Sequence, residues 1–187
     1  LVRLLVDQHT GVISQFGAVS KDLTEPPIPL VWRATVSNHR FFDEHEEERA
    51  TCSGKGISEG EAWISCLGEA IERYSGACWD IAELQTARYS ELDGRALDPR
   101  ELVLYRDEQY ENLPYTPYDD DAELAWLKAR SLMHGDEAWV PAIAALMDYS
   151  PRNREEFLFP ITSNGLAAGP SPHEAVLNAI SEVLERD

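Results

Sequence analysis

The chain has 187 residues and a formal charge of −18, so it can bury a sizeable core, and binding to nucleic acid or an anionic membrane by charge alone is excluded. Three cysteines, Cys52, Cys66 and Cys78, with no C-x-x-C pair, argue against a disulfide framework or a zinc site and for a reducing, cytoplasmic compartment. No signal peptide is present, and no apolar run reaches the ~18 residues of a membrane span.

Residues 1–6 are apolar and are followed by the turn-like Asp7-Gln8-His9-Thr10-Gly11 and by strand-like 12–16, which predicts a hairpin. Glu25-Pro26-Pro27-Ile28-Pro29 breaks the chain. Residues 30–37 alternate and predict a strand. Residues 39–49 are acidic; His45 among Glu44, Glu46 and Glu47 reads as a solvated loop in preference to a metal ligand. Ser53-Gly54-Lys55-Gly56-Ile57-Ser58 predicts a small-residue loop. It lacks the Walker A pattern, but its backbone N–H groups and Lys55 suit a phosphate.

Ser58 with Glu61 three residues on has capping-box spacing. A helix over 59–79 follows, with Ile64, Leu67, Ile71 and Tyr74 as its buried stripe. Cys66 reads as a buried thiol, not a nucleophile. Residues 81–113 are turn-rich, with short helical pieces at 89–92 and 99–104. Residues 105–121 read as a surface excursion without chemistry. Residues 124–132 and 139–149 predict two strands around His134-Gly135-Asp136, where His134 is a turn residue only. Thr162-Ser163-Asn164-Gly165 opens a second small-residue loop. Ser171 is the next N-cap, Pro172 the first helical position, and Val176, Leu177, Ile180 and Leu184 the buried stripe. This last helix has neither a Gly cap nor a Pro stop, which predicts a fragment.

The two helices are related. At an offset of 113 residues, Gly56, Ser58, Glu61, Ala62, Glu69, Glu72 and Arg73 fall on Gly169, Ser171, Glu174, Ala175, Glu182, Glu185 and Arg186. Each helix carries a Glu-x-x-Glu-Arg in which both carboxylates share a face. A single copy reads as a solvated face; the duplication predicts two loop–helix halves facing across a pseudo-twofold, with Glu69, Glu72, Glu182 and Glu185 meeting at the axis. Four carboxylates repel unless a cation joins them. Mg²⁺ is the hard cation that shares oxygen ligands with phosphates. Arg73 and Arg186 then either contact phosphate or brace the carboxylates. Ser65 and Asn178, one turn before the first glutamate of each pair, orient it or touch a nucleotide.

Gly54-Lys55-Gly56-Ile57-Ser58 running into Ser65, Glu69, Glu72 and Arg73 resembles the YcaO family. So does Ser163-Asn164-Gly165-Leu166-Ala167-Ala168-Gly169 running into Glu174-Ala175 and Glu182-Val183-Leu184-Glu185-Arg186-Asp187. The resemblance implies an α+β fold of mixed sheets and packed helices, residues 1–187 forming the N-terminal, nucleotide-binding part. It implies ATP and Mg²⁺ as cofactors, with the four glutamates as metal ligands and Lys55, Ser65, Arg73, Glu174, Asn178 and Arg186 toward the nucleotide. Many family members carry a polar residue where this chain has Pro170. No residue is assigned to catalysis.

The implied activity is ATP-dependent activation of a peptide backbone amide in bacterial peptide modification. A nucleophile adds to the carbonyl, the oxygen takes the γ-phosphoryl group, and phosphate leaves. The commonest outcome is cyclodehydration of Cys, Ser or Thr to azolines; thioamide and amidine formation are alternatives. Partners implied are a precursor peptide and a leader-binding protein resembling ubiquitin-activating enzyme, with a homodimer left open and neither nucleic acid nor membrane. The fragment alone is expected to be inactive. A small-molecule Mg²⁺-dependent ligase or kinase-like enzyme and a non-enzymatic stimulatory scaffold remain as rivals.

Overall fold

The computed structural model describes residues 2–37, 51–102 and 104–186. The expectation for His45 and the acidic 39–49 segment lies outside these residues. The fold is α+β, and the chain divides into two compact units, Leu1–Cys78 with Ser163–Asp187, and Trp79–Thr162.

In the first unit, β1 (Ile13–Ala18), β2 (Leu30–Val36) and β3 (Thr51–Gly56) form an antiparallel sheet in that order. Alternation on β2 turns Ala34 and Val36 into a core with Ile13, Cys52, Cys66, Leu67 and Ala70. The opening is not a hairpin. Val2–Leu5 is one helical turn, α1, and Val6 bridges Ile13 in parallel. Val2, Leu5 and Val6 share the face of that turn and pack on the core. Asp7 then closes a side-chain turn by accepting from the N–H groups of His9 and Thr10, both at 2.9 Å.

Residues 51–56 are a strand, not the predicted loop. The helix α2 (Glu59–Ala77) lies so close over it that a Cβ on Gly54 would stand 2.0 Å from the backbone nitrogen of Cys66. That approach also selects the buried face of α2. Ala62, Cys66 and Ala70, spaced by four, face the sheet with Leu67 and Ala77, whereas the predicted stripe residue Ile64 is 60% exposed. Small residues win because a bulky side chain does not fit between helix and strand.

The helix α5 (Pro172–Arg186) begins where predicted, but none of its residues is buried. Leu177 and Leu184 are 61% and 72% exposed, against the expectation for Val176, Leu177, Ile180 and Leu184. No described strand lies broadly under α5 as β2 and β3 lie under α2, so among the described residues the stripe is only partly covered.

The duplication is visible in backbone detail. A Cβ on Gly56 would meet the nitrogen of Ala62 at 2.5 Å, and one on Gly169 the nitrogen of Ala175 at 2.5 Å. Gly56→Ala and Gly169→Ala are each expected to destabilise the protein by about 1–3 kcal/mol through overpacking, measured by urea unfolding. A neutral result at both positions would refute the close helix approach.

In the second unit, β4 (Gln85–Ala87), β5 (Arg95–Ala96), β6 (Leu124–Arg130) and β7 (Glu137–Pro141) pair in the order β4-β6-β7-β5. The β6–β7 hairpin is as predicted. Its second strand stops at Pro141, where Ala142–Ala145 turns into a short helix rather than continuing to 149. Pro has no N–H for the ladder, and the alanines favour helix. Short 3-10 turns occupy Tyr89–Glu91 and Pro99–Glu101. Trp126 is fully buried and donates its indole N–H to the Ala87 carbonyl at 2.9 Å. The 105–121 excursion holds one short helix, α3 (Asp107–Tyr110), and a ring cluster in which Tyr105 stacks on Tyr115 at 5.3 Å. α4 is the Ala142–Ala145 helix.

Cys52 and Cys66 are buried and Cys78 is exposed. Burial pushes the Cys52 thiol up to about 12 and raises Cys66 as well. A thiol reagent is therefore expected to titrate Cys78 rapidly in the native protein and the other two only after unfolding. Fast reaction of a second thiol would contradict the buried assignment.

Candidate functional site

The two caps position the acidic residues, and they match. Ser58 Oγ accepts the Glu61 N–H at 3.3 Å, and Ser171 Oγ accepts the Glu174 N–H at 3.3 Å. The Glu61 carboxylate takes the Ile57 N–H at 3.0 Å, and Glu174 accepts the Ser171 hydroxyl at 2.7 Å. The structure thus places Glu174 in a helix cap.

About two turns further on, each first glutamate holds its own arginine. Arg73 Nε donates to Glu69 at 2.9 Å, and Arg186 lies 2.8 Å from Glu182. Glu69 also accepts the Ser53 N–H from the open edge of β3 at 3.1 Å. Arg186 donates to the Asn164 side chain at 2.7 Å. Both arginines brace carboxylates here.

Glu72 lies near enough to Glu182 for the two charges to act on each other. Burial, and then the neighbouring Glu182 carboxylate, push Glu72 above the usual carboxylate range. An N–H from Ala168 and the charge of Arg73 act the other way. The Ala168 carbonyl in turn accepts from the Asn178 side chain at 3.0 Å. One residue of the second small-residue loop, Ala168, therefore ties Glu72 of α2 to Asn178 of α5 through its N–H and its carbonyl. The roles of Ala168, Asn164 and the Ser53 N–H were not assigned in the sequence, although the 163–169 loop was singled out there as the second small-residue loop; its Gly165 has φ 83°.

Glu185 and Ser65 are exposed. The Lys55 side chain alternates onto the sheet face opposite α2. Among the described residues no group of three or more His, Cys, Asp or Glu is close enough to hold a metal ion. The charges of Glu182 and, more weakly, Glu69 act on Glu72, while Glu69 and Glu182 each face the arginine one turn away.

The arrangement offers two hard oxygen donors from duplicated helices, flanked by a loop amide, an Asn amide and two guanidinium groups. That donor set is chemically suited to a divalent cation and phosphate oxygens, on an α+β fold. Residues 53–187 match the family model described as YcaO cyclodehydratase, ATP- and Mg²⁺-binding. The chain belongs to the YcaO family, a cyclodehydratase-type enzyme family. It is 36% identical over 137 residues to an uncharacterized protein of Methanothermobacter thermautotrophicus, covering 72% of this chain and 32% of that one. The chain spans about a third of the length of the curated relatives it matches.

Among solved structures, it resembles a heterocyclase in complex with substrate and cofactor with TM-score 0.75 and 24% identity, over 96% of this chain and 26% of that one. It also resembles YcaO from Methanopyrus kandleri bound with AMPPCP and Mg²⁺, with TM-score 0.62 and 20% identity, over 93% of this chain and 37% of that one. These likenesses concern the fold. No helix among the described residues is long and apolar enough to cross a membrane.

Proposed function

We propose that Glu72 and Glu182 are the core of a Mg²⁺–ATP site in a protein that activates a peptide backbone amide, with cyclodehydration of Cys, Ser or Thr to azolines as the leading outcome. The observation that carries this is the meeting of two like-charged carboxylates, one from each copy of a duplicated helix. Their mutual repulsion is only partly offset by Arg73 and Arg186; their all-oxygen donor set suits Mg²⁺.

In this reading Glu69 and Glu185 complete the acidic set once phosphate arrives. Asn178 and Ser65 orient the nucleotide, while Arg73 and Arg186 exchange a carboxylate partner for a phosphate oxygen. Glu174 keeps the α5 cap in place. Lys55 has no part in the site, since it projects from the far side of the sheet. When bound, the metal–nucleotide supplies a transferable phosphoryl group with its charge offset. The chain's own residues hold it, and the Ala168 N–H keeps Glu72 aimed. A precursor peptide as substrate, a leader-binding partner protein and a homodimer are part of the same proposal.

Isothermal titration with a non-hydrolysable ATP analogue tests the reading. Binding is expected with Mg²⁺ and lost with chelator. Metal-independent binding, or none in a full-length protein, would favour the scaffold alternative.

A further inference from the structure

We infer that the open face of the β1–β2–β3 sheet is a docking surface for an extended acidic polypeptide segment. The pleat decides what this face shows. Ile13, Ala34, Val36 and Cys52 point to the core, so the alternate positions point outward. There Arg33 stands between Gly17 and Ser53 across the three strands, and Lys55 stands opposite Val31 in the next row. Arg33, Ser53 and Lys55 are exposed. A Cβ added at Gly17 would meet nothing within 4 Å, so the flank of Arg33 is open.

The charge pattern of this face runs against that of the chain. Asp and Glu number 34 against 16 Lys and Arg, yet none of the residues of β1, β2 or β3 is acidic. Arg73, Arg100, Arg152 and Arg186 each face a carboxylate. Among the described residues, neither Arg33 nor Lys55 does. Two cations with no carboxylate partner among the described residues, on strands that carry no acid, form a local attractor for a negative partner.

The spacing selects the partner. Arg33 and Lys55 are diagonal neighbours on adjacent strands, a relation of about 7–8 Å between backbones. Carboxylates at alternate positions of an extended chain are about 6.6 Å apart. Glu-x-Glu in extended form therefore meets both cations at once, with the Ser53 and Thr51 hydroxyl groups beside them. A triphosphate, which needs a concave cradle, does not suit a flat face. The surface borders the acidic helix, because Ser53 also gives its N–H to Glu69. The inference does not depend on nucleotide binding.

Fluorescence anisotropy with a labelled alternating Glu-Ser peptide tests it on the intact chain. Binding is expected at low salt and is lost at high salt. The paired substitution Arg33→Glu with Lys55→Glu should weaken it by at least about tenfold, and Arg33→Gln with Lys55→Gln by less, with thermal melts confirming that both variants fold. No binding at low salt, or equal binding by wild type and both variants, would overturn the proposal. Tripolyphosphate binding that requires Arg33 and Lys55, without peptide binding, would also overturn it.

Discussion

Glu72→Gln is expected to weaken Mg²⁺–nucleotide binding by at least about 100-fold while making the nucleotide-free protein more stable. The first effect follows from removing a ligand charge, since loss of groups that only support metal ligands already costs about 10–100-fold. The second follows from the geometry. Glu72 is partly withdrawn from water beside the like-charged Glu182, and both features oppose its ionisation. Glutamine keeps an oxygen for the Ala168 N–H and removes the repulsion. For a pair that solvent still reaches, the gain is about 0.5–1 kcal/mol, or roughly 1–3 °C in melting temperature.

Glu182→Gln should behave in the same sense, with a smaller stability gain because it also gives up the charge facing Arg186 at 2.8 Å. Calorimetric titration and differential scanning fluorimetry on the same samples read both effects. A Glu72→Gln protein that melts lower and still binds the metal–nucleotide normally would sink the assignment of this pair.

The second large effect lies at Glu156, which the sequence did not single out. It is 1% exposed and is the charged residue at the centre of a closed network. The Tyr149 hydroxyl donates to it at 2.6 Å, the Arg152 backbone N–H at 2.7 Å, and the Arg152 guanidinium at 3.0 Å. Burial and the bond to Glu156 also raise the Tyr149 phenol far above its usual range.

Removing one partner of a buried charge leaves the other uncompensated. Arg152→Met is expected to lower stability by about 3 kcal/mol, and Tyr149→Phe by about 1.5–3 kcal/mol through loss of a charge-assisted bond. Replacing all three with apolar residues of similar volume should cost much less than the sum of the singles. Urea unfolding followed by tryptophan fluorescence measures the series. Additive losses across the triple replacement would show that the three groups do not act as one network.

Much of the site was legible because its signals are local. Ser58 with Glu61 and Ser171 with Glu174 were readable as caps, and the caps are there with matching distances. The duplication was readable from spacing, and the two glycine–helix approaches repeat it in the backbone. Glu69 with Arg73 and Glu182 with Arg186 are pairs that any helix places on one face. Residues 53–56 were misread as a loop because two glycines imitate a turn; they are glycines because a helix lies on the strand. Ile64 was misread as core for the same reason, since the hydrophobic period does not reveal how near the opposing backbone will come.

The two long helices, their caps, the alternation of β2 and the repeated acidic motif were thus determined by the sequence itself, since each depends on residues a few places apart. Which carboxylates meet was decided only by tertiary structure. The approach of Glu72 to Glu182, the Ala168 peptide that serves both Glu72 and Asn178, and the exposure of the α5 stripe depend on segments about a hundred residues distant coming together, and no local spacing encodes that.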